Sequence, residues 1–401
     1  LLLYLNMYFK SSFYCLILSF LSLNFLGAQN LLIDGSIIDD NDFEIPFAAV
    51  GILKKNIGTT STIEGTFSFI VSPNEIEDSL EISSIGFKTF KIKVKDYIDK
   101  KIKTIRLSEQ LTQLDEVVVK APINYIEKAL KLLKTNTISV NHQLNLLYRR
   151  WDVEENKCAF FIEQYIKVID RGPNSYMVKS NIENQRKSAD YRFVKNEAKF
   201  HPLQYTEWNN PLRKGIKVKS FKWKKIKNST YDNEEVLFFE GVNENKDKIN
   251  IVIGFETYKI YQIEYDWKPN IGRSQRGMWI YKKNNEGKLY LSYHNREWVG
   301  ARKLPENVRK TMINSGQKVR EYYPVSFRHE LIVTQMTQQK QNFDKFDDME
   351  QKDMSLYDVA YNKSFWHNFS LPPETDYYKK NIKELESRFG VSIETQFKYS
   401  N

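Results

Sequence analysis

Short apolar runs broken by turn residues organise the first quarter of the chain. Runs at 31–38, 48–53, 65–71, 80–84, 89–94 and 103–107 read as strands, separated by Asp39-Asp40-Asn41, by Asn56 with Gly58, and by Pro73-Asn74. That spacing predicts a small all-β sandwich. After Pro122 the period changes from two to helical. Ile126, Ala129, Leu130 and Leu133 share one face and Glu127, Lys128, Lys131 and Lys134 the other, so 125–134 is expected to be an amphipathic helix packed on the β-structure that follows. From Leu146 to about Gln335 strands return, many of them aromatic, at 159–169, 217–227, 236–240, 249–255, 258–267, 278–283 and 288–298. The pair 249–255 and 258–267, joined through Glu256-Thr257, reads as a hairpin in which Tyr258, Ile260, Gln262 and Glu264 alternate with Lys259, Tyr261, Ile263 and Tyr265. Near the end Tyr378, Ile382, Leu385 and Phe389 line one face of a predicted helix that stops at Gly390 and docks on the sheet.

The expected fold class is therefore mainly β. A prealbumin- or Ig-like sandwich occupies 30–108, a linking segment and helix 109–140, a larger antiparallel sheet or half-barrel 141–340, and a tail with a C-terminal helix 341–401. The meander loosely resembles the lipoprotein-carrier half-barrels of the periplasm, by pattern alone. An open sheet of this kind shelters apolar ligands on its concave side. A membrane β-barrel fits less well. Charged residues crowd 217–227 and 282–288, and the chain places a helix near its end and finishes Tyr399-Ser400-Asn401, where a barrel closes with an aromatic strand.

Composition changes this picture little. With 41% hydrophobic, 27% charged and 14% aromatic residues the 401-residue chain has material for a core, which excludes a disordered protein. The net charge of +10 permits polyanionic partners, and compartment decides which. Residues 1–28 have the pattern of a secretion leader starting at Met7, with Lys10, an apolar stretch at 13–25 and Leu26-Gly27-Ala28 ahead of Gln29. Cleavage there would remove Cys15 and leave Cys158 without a disulfide partner; Gln29 stands where lipid anchoring would need a cysteine. The expected location is the periplasm or outer membrane of a Gram-negative envelope, with at most peripheral membrane association and no nucleic-acid partner.

Gly35, Pro46 with Ala48, Gly58-Thr59-Thr60, Glu64-Gly65-Thr66-Phe67 and Ser84-Ile85-Gly86-Phe87 together resemble the carboxypeptidase-like regulatory domain, a prealbumin-like sandwich of envelope proteins. Leu114 to Val119 resembles the segment that follows this domain in TonB-dependent transporters. The resemblance implies a recognition or spacer module. Thr62 stands where the family commonly has Asp, which argues against a cation in that turn.

Catalytic chemistry is not evident. The one pair with zinc-ligand spacing, His294 and Glu297, lies on a strand-like run, where residues three apart face opposite sides. His142, His201, His294, His329 and His367 are scattered, and no catalytic residue, metal or cofactor is expected. The candidate ligand-binding residues are Lys219, Phe221, Lys222, Trp223 and Lys224, from a lysine-rich stretch whose aromatics would stack on a lipopolysaccharide phosphate or acidic glycan. The acidic run from Asp344 to Glu350 is a possible internal counterpart. Asp115, Glu116, Val117, Val118 and Val119 are the candidate partner-binding strand, able to extend a sheet edge. The expected function is a non-catalytic exported binding or scaffolding protein for a lipid, glycan or protein partner; the alternative is a hydrolase of envelope peptide or glycan.

Overall fold

The computed structural model describes residues 30–110, 121–177, 179–195, 199–270, 273–346 and 352–400. The leader at 1–28 and the segment Asp115 to Val119 lie outside the described residues. The N-terminal strands are β1 (Leu31–Ile38), β2 (Ala49–Ile52), β3 (Ile57–Thr60), β4 (Thr66–Val71), β5 (Ser79–Ser83), β6 (Phe90–Lys93) and β7 (Thr104–Arg106). A 3-stranded sheet, β4-β1-β7, packs on β3-β2-β5-β6, and alternate residues of the two inner faces, among them Ile33, Ile37, Val50, Ile52, Phe67, Phe69, Leu80 and Ile82, make the core.

Two turns explain where the expected strand limits shifted. Asn56 makes the tight turn with φ 53°, so Gly58, read as a turn residue, lies inside β3. It is needed there for close approach, since a Cβ at Gly58 would sit 2.2 Å from the Val50 carbonyl. Thr62 replaces the family's Asp with a hydroxyl that accepts from the Glu64 and Thr66 amides at 3.2 and 3.3 Å. Val94, expected to end a strand, begins the helix Val94–Asp99.

The larger sheet is built from β8 (His142–Glu154), β9 (Lys157–Asp170), β10 (Lys179–Lys187), β11 (Phe221–Tyr231), β12 (Glu234–Asn243), β13 (Lys248–Gly254), β14 (Ile260–Asn270), β15 (Arg273–Lys283), β16 (Leu289–Lys303) and β17 (Tyr322–Thr337). Neighbours pair antiparallel in the order β11-β12-β13-β14-β15-β16-β17-β8-β9-β10. The sheet curls into a half-barrel. Among the described residues β10 and β11 do not pair, so the barrel is open. The expected hairpin is β13-β14, but its alternation slips at a bulge opposite Val252 and Ile253, which buries Ile260 and Tyr261 together. The sandwich joins the sheet through β3 and β17, where the Met336 amide donates to the Asn56 carbonyl at 3.1 Å, and through Phe47 against Tyr293 on the convex face.

Helices fill the two sides. The helix Pro122–Lys131 and its continuation Leu133–Asn136 bury Ile126, Ala129 and Leu133 against the concave face, together with the short helices Pro202–Trp208 and Pro211–Lys214. On the convex side of β8 and β9, the helix Asp376–Ser387 buries Tyr378, Ile382 and Leu385. Phe389, expected on that face, falls beyond the helix and is 73% exposed, touching only the Tyr191 ring among aromatic neighbours. A second helix, Ile393–Ser400, follows and returns Phe397 to the same cluster. Among the described residues no helix is long and apolar enough to cross a membrane.

Leu385→Ala is expected to lower the unfolding free energy by about 2–5 kcal/mol, the usual cost of a cavity at a sealed leucine, while Phe389→Ala changes it by less than about 1. Denaturant titration of both variants checks this; equal effects would contradict the docking geometry.

Candidate binding site in the concave face

Strand alternation turns every second residue of β8, β16 and β17 into the half-barrel. Tyr148, Arg150 and Asp152 point inward from β8, His329 and Phe327 from β17, His294, Arg296 and Trp298 from β16. Register then sets them side by side. Arg150 pairs with His329, which pairs with Arg296; in the next row Asp152 pairs with Phe327, which pairs with Trp298. The Tyr148 ring lies 5.5, 5.9 and 6.0 Å from the rings of His201, His294 and His329. Three of the five histidines, scattered in sequence, thus converge.

Deeper in the concave face the ionised groups are paired. Arg213, from the helix Pro211–Lys214, donates to both Asp170 oxygens at 2.9 Å and through Nε to Glu207 at 2.6 Å. The other Glu207 oxygen accepts from the Trp279 indole at 3.1 Å and lies 2.6 Å from His294 Nδ1. Burial alone would raise the Asp170 and Glu207 carboxyls; the Arg213 guanidinium outweighs it and holds both below the usual range. His294 and Glu297, the pair with zinc-ligand spacing, separate as strand geometry requires: His294 is sealed inside on Glu207, and Glu297 sits on the convex side with Arg276. Among the described residues no group of three or more His, Cys, Asp or Glu is placed to hold a metal ion.

Toward the open end, Arg150 donates to Asp353 at 2.7 and 3.0 Å, and Asp152 accepts from Arg192. Asp353 belongs to the C-terminal tail, whose Met354 inserts fully buried into the concave core. Burial would raise the Asp353 carboxyl, but the Arg150 charge and donors from Ser355 bring it down to about 2. Burial and the nearby Arg150 and Arg296 charges push His329 far below its ordinary value, so it is neutral.

Beside this row lies a cavity of about 280 Å³, lined by Arg150, Arg296, His329, Trp298, Phe327 and Gln275 from the sheet and by Lys199, Phe200, Pro202, Tyr205 and Arg302 around its rim. Trp298 stacks on Phe327 with centroids 5.3 Å apart, and the Arg302 guanidinium lies 5.0 Å from the Trp298 ring. Among the described residues no carboxylate lines this cavity. Two larger clefts, about 410 and 400 Å³, lie between the sandwich and the convex face; one carries Asp39, Glu44 and Glu264, the other no charged side chain, and neither gathers cationic donors.

The residues singled out in the sequence lie elsewhere. Phe221 and Trp223 face the concave core from β11, and the Trp223 indole donates to the Val218 carbonyl at 2.8 Å. Lys222 and Lys224 point to the other face, where Lys224 pairs with Glu240 at 2.8 Å; Lys219 precedes the strand. The five residues therefore do not share one surface. Among the described residues β11 is an unpaired edge with a bulge after Lys225, and a lysine-studded, bulged edge resists pairing with another sheet. In the acidic run, Asp344 pairs with Lys167 at 3.2 Å and does not answer these lysines; residues 347–350 lie outside the described residues. The residues of the cavity were missed because β8 and β17 carry charge where a buried strand is expected to be apolar. The signal available was the strict alternation of Tyr148, Arg150 and Asp152 with Arg149, Trp151 and Val153.

Comparison with known proteins fits the N-terminal part. Residues 33–119 match the CarboxypepD_reg-like domain, in agreement with the resemblance carried by Gly35, Gly65 and Gly86. No curated protein matches the chain at a significant level. Solved structures similar to this chain include an outer membrane lipoprotein-sorting protein domain from Vibrio parahaemolyticus (8% identity, 55% of this chain and 95% of that one, TM-score 0.28). Others are a DUF1329 family protein from Desulfovibrio piger (11%, 56% and 95%, 0.26) and a LolA superfamily protein from Nitrosomonas europaea (10%, 55% and 96%, 0.21). Overlaps this slight add nothing to the functional argument, which rests on the site.

Asp353→Asn is expected to lower stability at pH 7 by about 3 kcal/mol, as when one partner of a buried ion pair is removed. The folded carboxyl titrates at about 2, below its ordinary value of about 3.9, so its contribution is complete above pH ~4 and fades as pH falls toward 2. The gap between wild type and variant should narrow over that window. A gap that stays constant from pH 6 to pH 2 would show that the Arg150 pairing is not its source.

Proposed function

We propose that the chain is a non-catalytic binding protein of the bacterial envelope, in which the half-barrel holds a small amphiphilic molecule in its concave cavity and the regulatory-type sandwich serves as a spacer or docking module. The observation that carries this reading is the lining of the cavity: stacked Trp298 and Phe327 for an apolar body, beside a row of cationic and polar groups that fixes its orientation. The leader-like pattern at 1–28 and the domain at 33–119 support export to the envelope. The polar groups best placed for acid–base work favour binding over turnover, because Glu207 and His294 are sealed and engaged in holding the short helices. Asp115 to Val119 remains the proposed strand for a protein partner, and the β11 lysines a secondary surface for acidic glycans.

Native mass spectrometry with lipid extraction, on protein purified from its own envelope, is expected to find a non-covalently bound amphiphile that Trp298→Asp removes. A ligand-free mass accompanied by turnover of peptide or glycan substrates would overturn the reading in favour of a hydrolase.

A further inference from the structure

The geometry points to an acidic amphiphile as the ligand of the concave cavity, its carboxylate or phosphate held by Arg296 with Arg150 and His329 beside it. This inference rests on the binding function proposed above and adds the charge of the ligand. Its source is the electrostatic balance of the cavity wall. Arg213, Arg149 and Arg150 are all buried and each meets a carboxylate, Arg213 on Asp170 and Glu207, Arg149 on Glu163, Arg150 on Asp353. Arg296 is equally buried, 5% exposed, and is the exception. Its Nη2 donates to the Gln275 side-chain oxygen at 2.6 Å, its guanidinium lies 4.6 Å from the Tyr205 ring, and among the described residues its Nε meets no acceptor.

Burying a guanidinium without a counter-charge is costly, and proteins pair such groups or neutralise them. Arginine stays protonated, so pairing is the open route. The place for an acceptor is the cavity, because Arg296, Arg150 and His329 line it from adjacent strands in one row. Arg302 and Lys199 at the rim add positive charge and no ion pair compensates them among the described residues. A planar carboxylate or a phosphate satisfies a guanidinium edge with two acceptors, which a hydroxyl or ester head does not. The stacked Trp298 and Phe327, one row along toward the rim, take the apolar body.

The test titrates delipidated full-length mature protein with dodecanoate, dodecyl phosphate, dodecanol and inorganic phosphate, using calorimetry, and repeats the series with Arg296→Gln. The acidic amphiphiles are expected to bind at least tenfold tighter than dodecanol, and Arg296→Gln to reduce that preference below threefold. Because Arg296→Gln removes an unpaired buried charge, the ligand-free variant should melt at or above the wild-type temperature, which a purely structural arginine would not allow. Equal affinity for dodecanol and dodecanoate would overturn the charge selectivity and leave the binding function standing. Binding of inorganic phosphate as tight as that of dodecyl phosphate would overturn the amphiphile in favour of a free-anion site. No binding of any of the chain-bearing probes would overturn both this inference and the function it rests on. The head-group comparison on wild type decides the matter even if the variant does not fold.

Discussion

Ionised side chains turned into the half-barrel have to find their counter-charges inside it, and that requirement organises the concave face. Arg213 is the hub. By bridging Asp170 on β9 and Glu207 on the neighbouring helix, it ties the two short helices Pro202–Trp208 and Pro211–Lys214 across the sheet, and Glu207 in turn fixes His294 and Trp279 on β16 and β15. Removing one member would leave its partners charged and unsolvated, so the network behaves as a unit. With the middle of the half-barrel sealed this way, space remains toward the rim, and there Arg296 has no carboxylate among the described residues.

The two faces of β8 and β9 show the same rule with different solutions. Arg149 and Arg150 are adjacent in sequence and point to opposite sides. Arg149 shares Glu163 with Arg186 under the C-terminal helices, and Trp366 and Phe397 cover the Arg186 guanidinium at 4.7 and 4.8 Å. Arg150 recruits Asp353 from the tail. The described C-terminal tail from residue 352 is therefore part of the half-barrel on both sides, the helices closing its convex face and Asp353 with Met354 reaching into its interior.

How much of this was legible follows from where apolar periodicity holds. Apolar runs broken by turn residues mark the sandwich strands other than β3, which escapes because Gly58 serves close packing and looks like a turn. The linking helix showed itself through Ile126, Ala129 and Leu133. In the larger sheet, β9 and the β13-β14 hairpin announced themselves by apolar runs, whereas β8 and β17 did not, since Arg150, Asp152, Glu154 and His329 interrupt the pattern. The feature that makes a binding wall is the one that disguises the strand. The histidines around Tyr148 are not visible as a cluster in the sequence, because register between β8, β16 and β17 brings His294 and His329 to it and the start of the helix Pro202–Trp208 brings His201. Phe221 and Trp223 attracted notice for their lysine neighbours, but a strand sends neighbours to opposite faces.

Contact between the proposed amphiphile and Trp298 can be read from tryptophan fluorescence during titration with a dodecanoate brominated on its chain, compared between wild type and Trp298→Phe. Bromine quenches at contact, so saturable quenching in wild type that is largely lost in the variant is the predicted result. Quenching of equal depth in both proteins, or none in wild type, would place the ligand elsewhere and contradict the account.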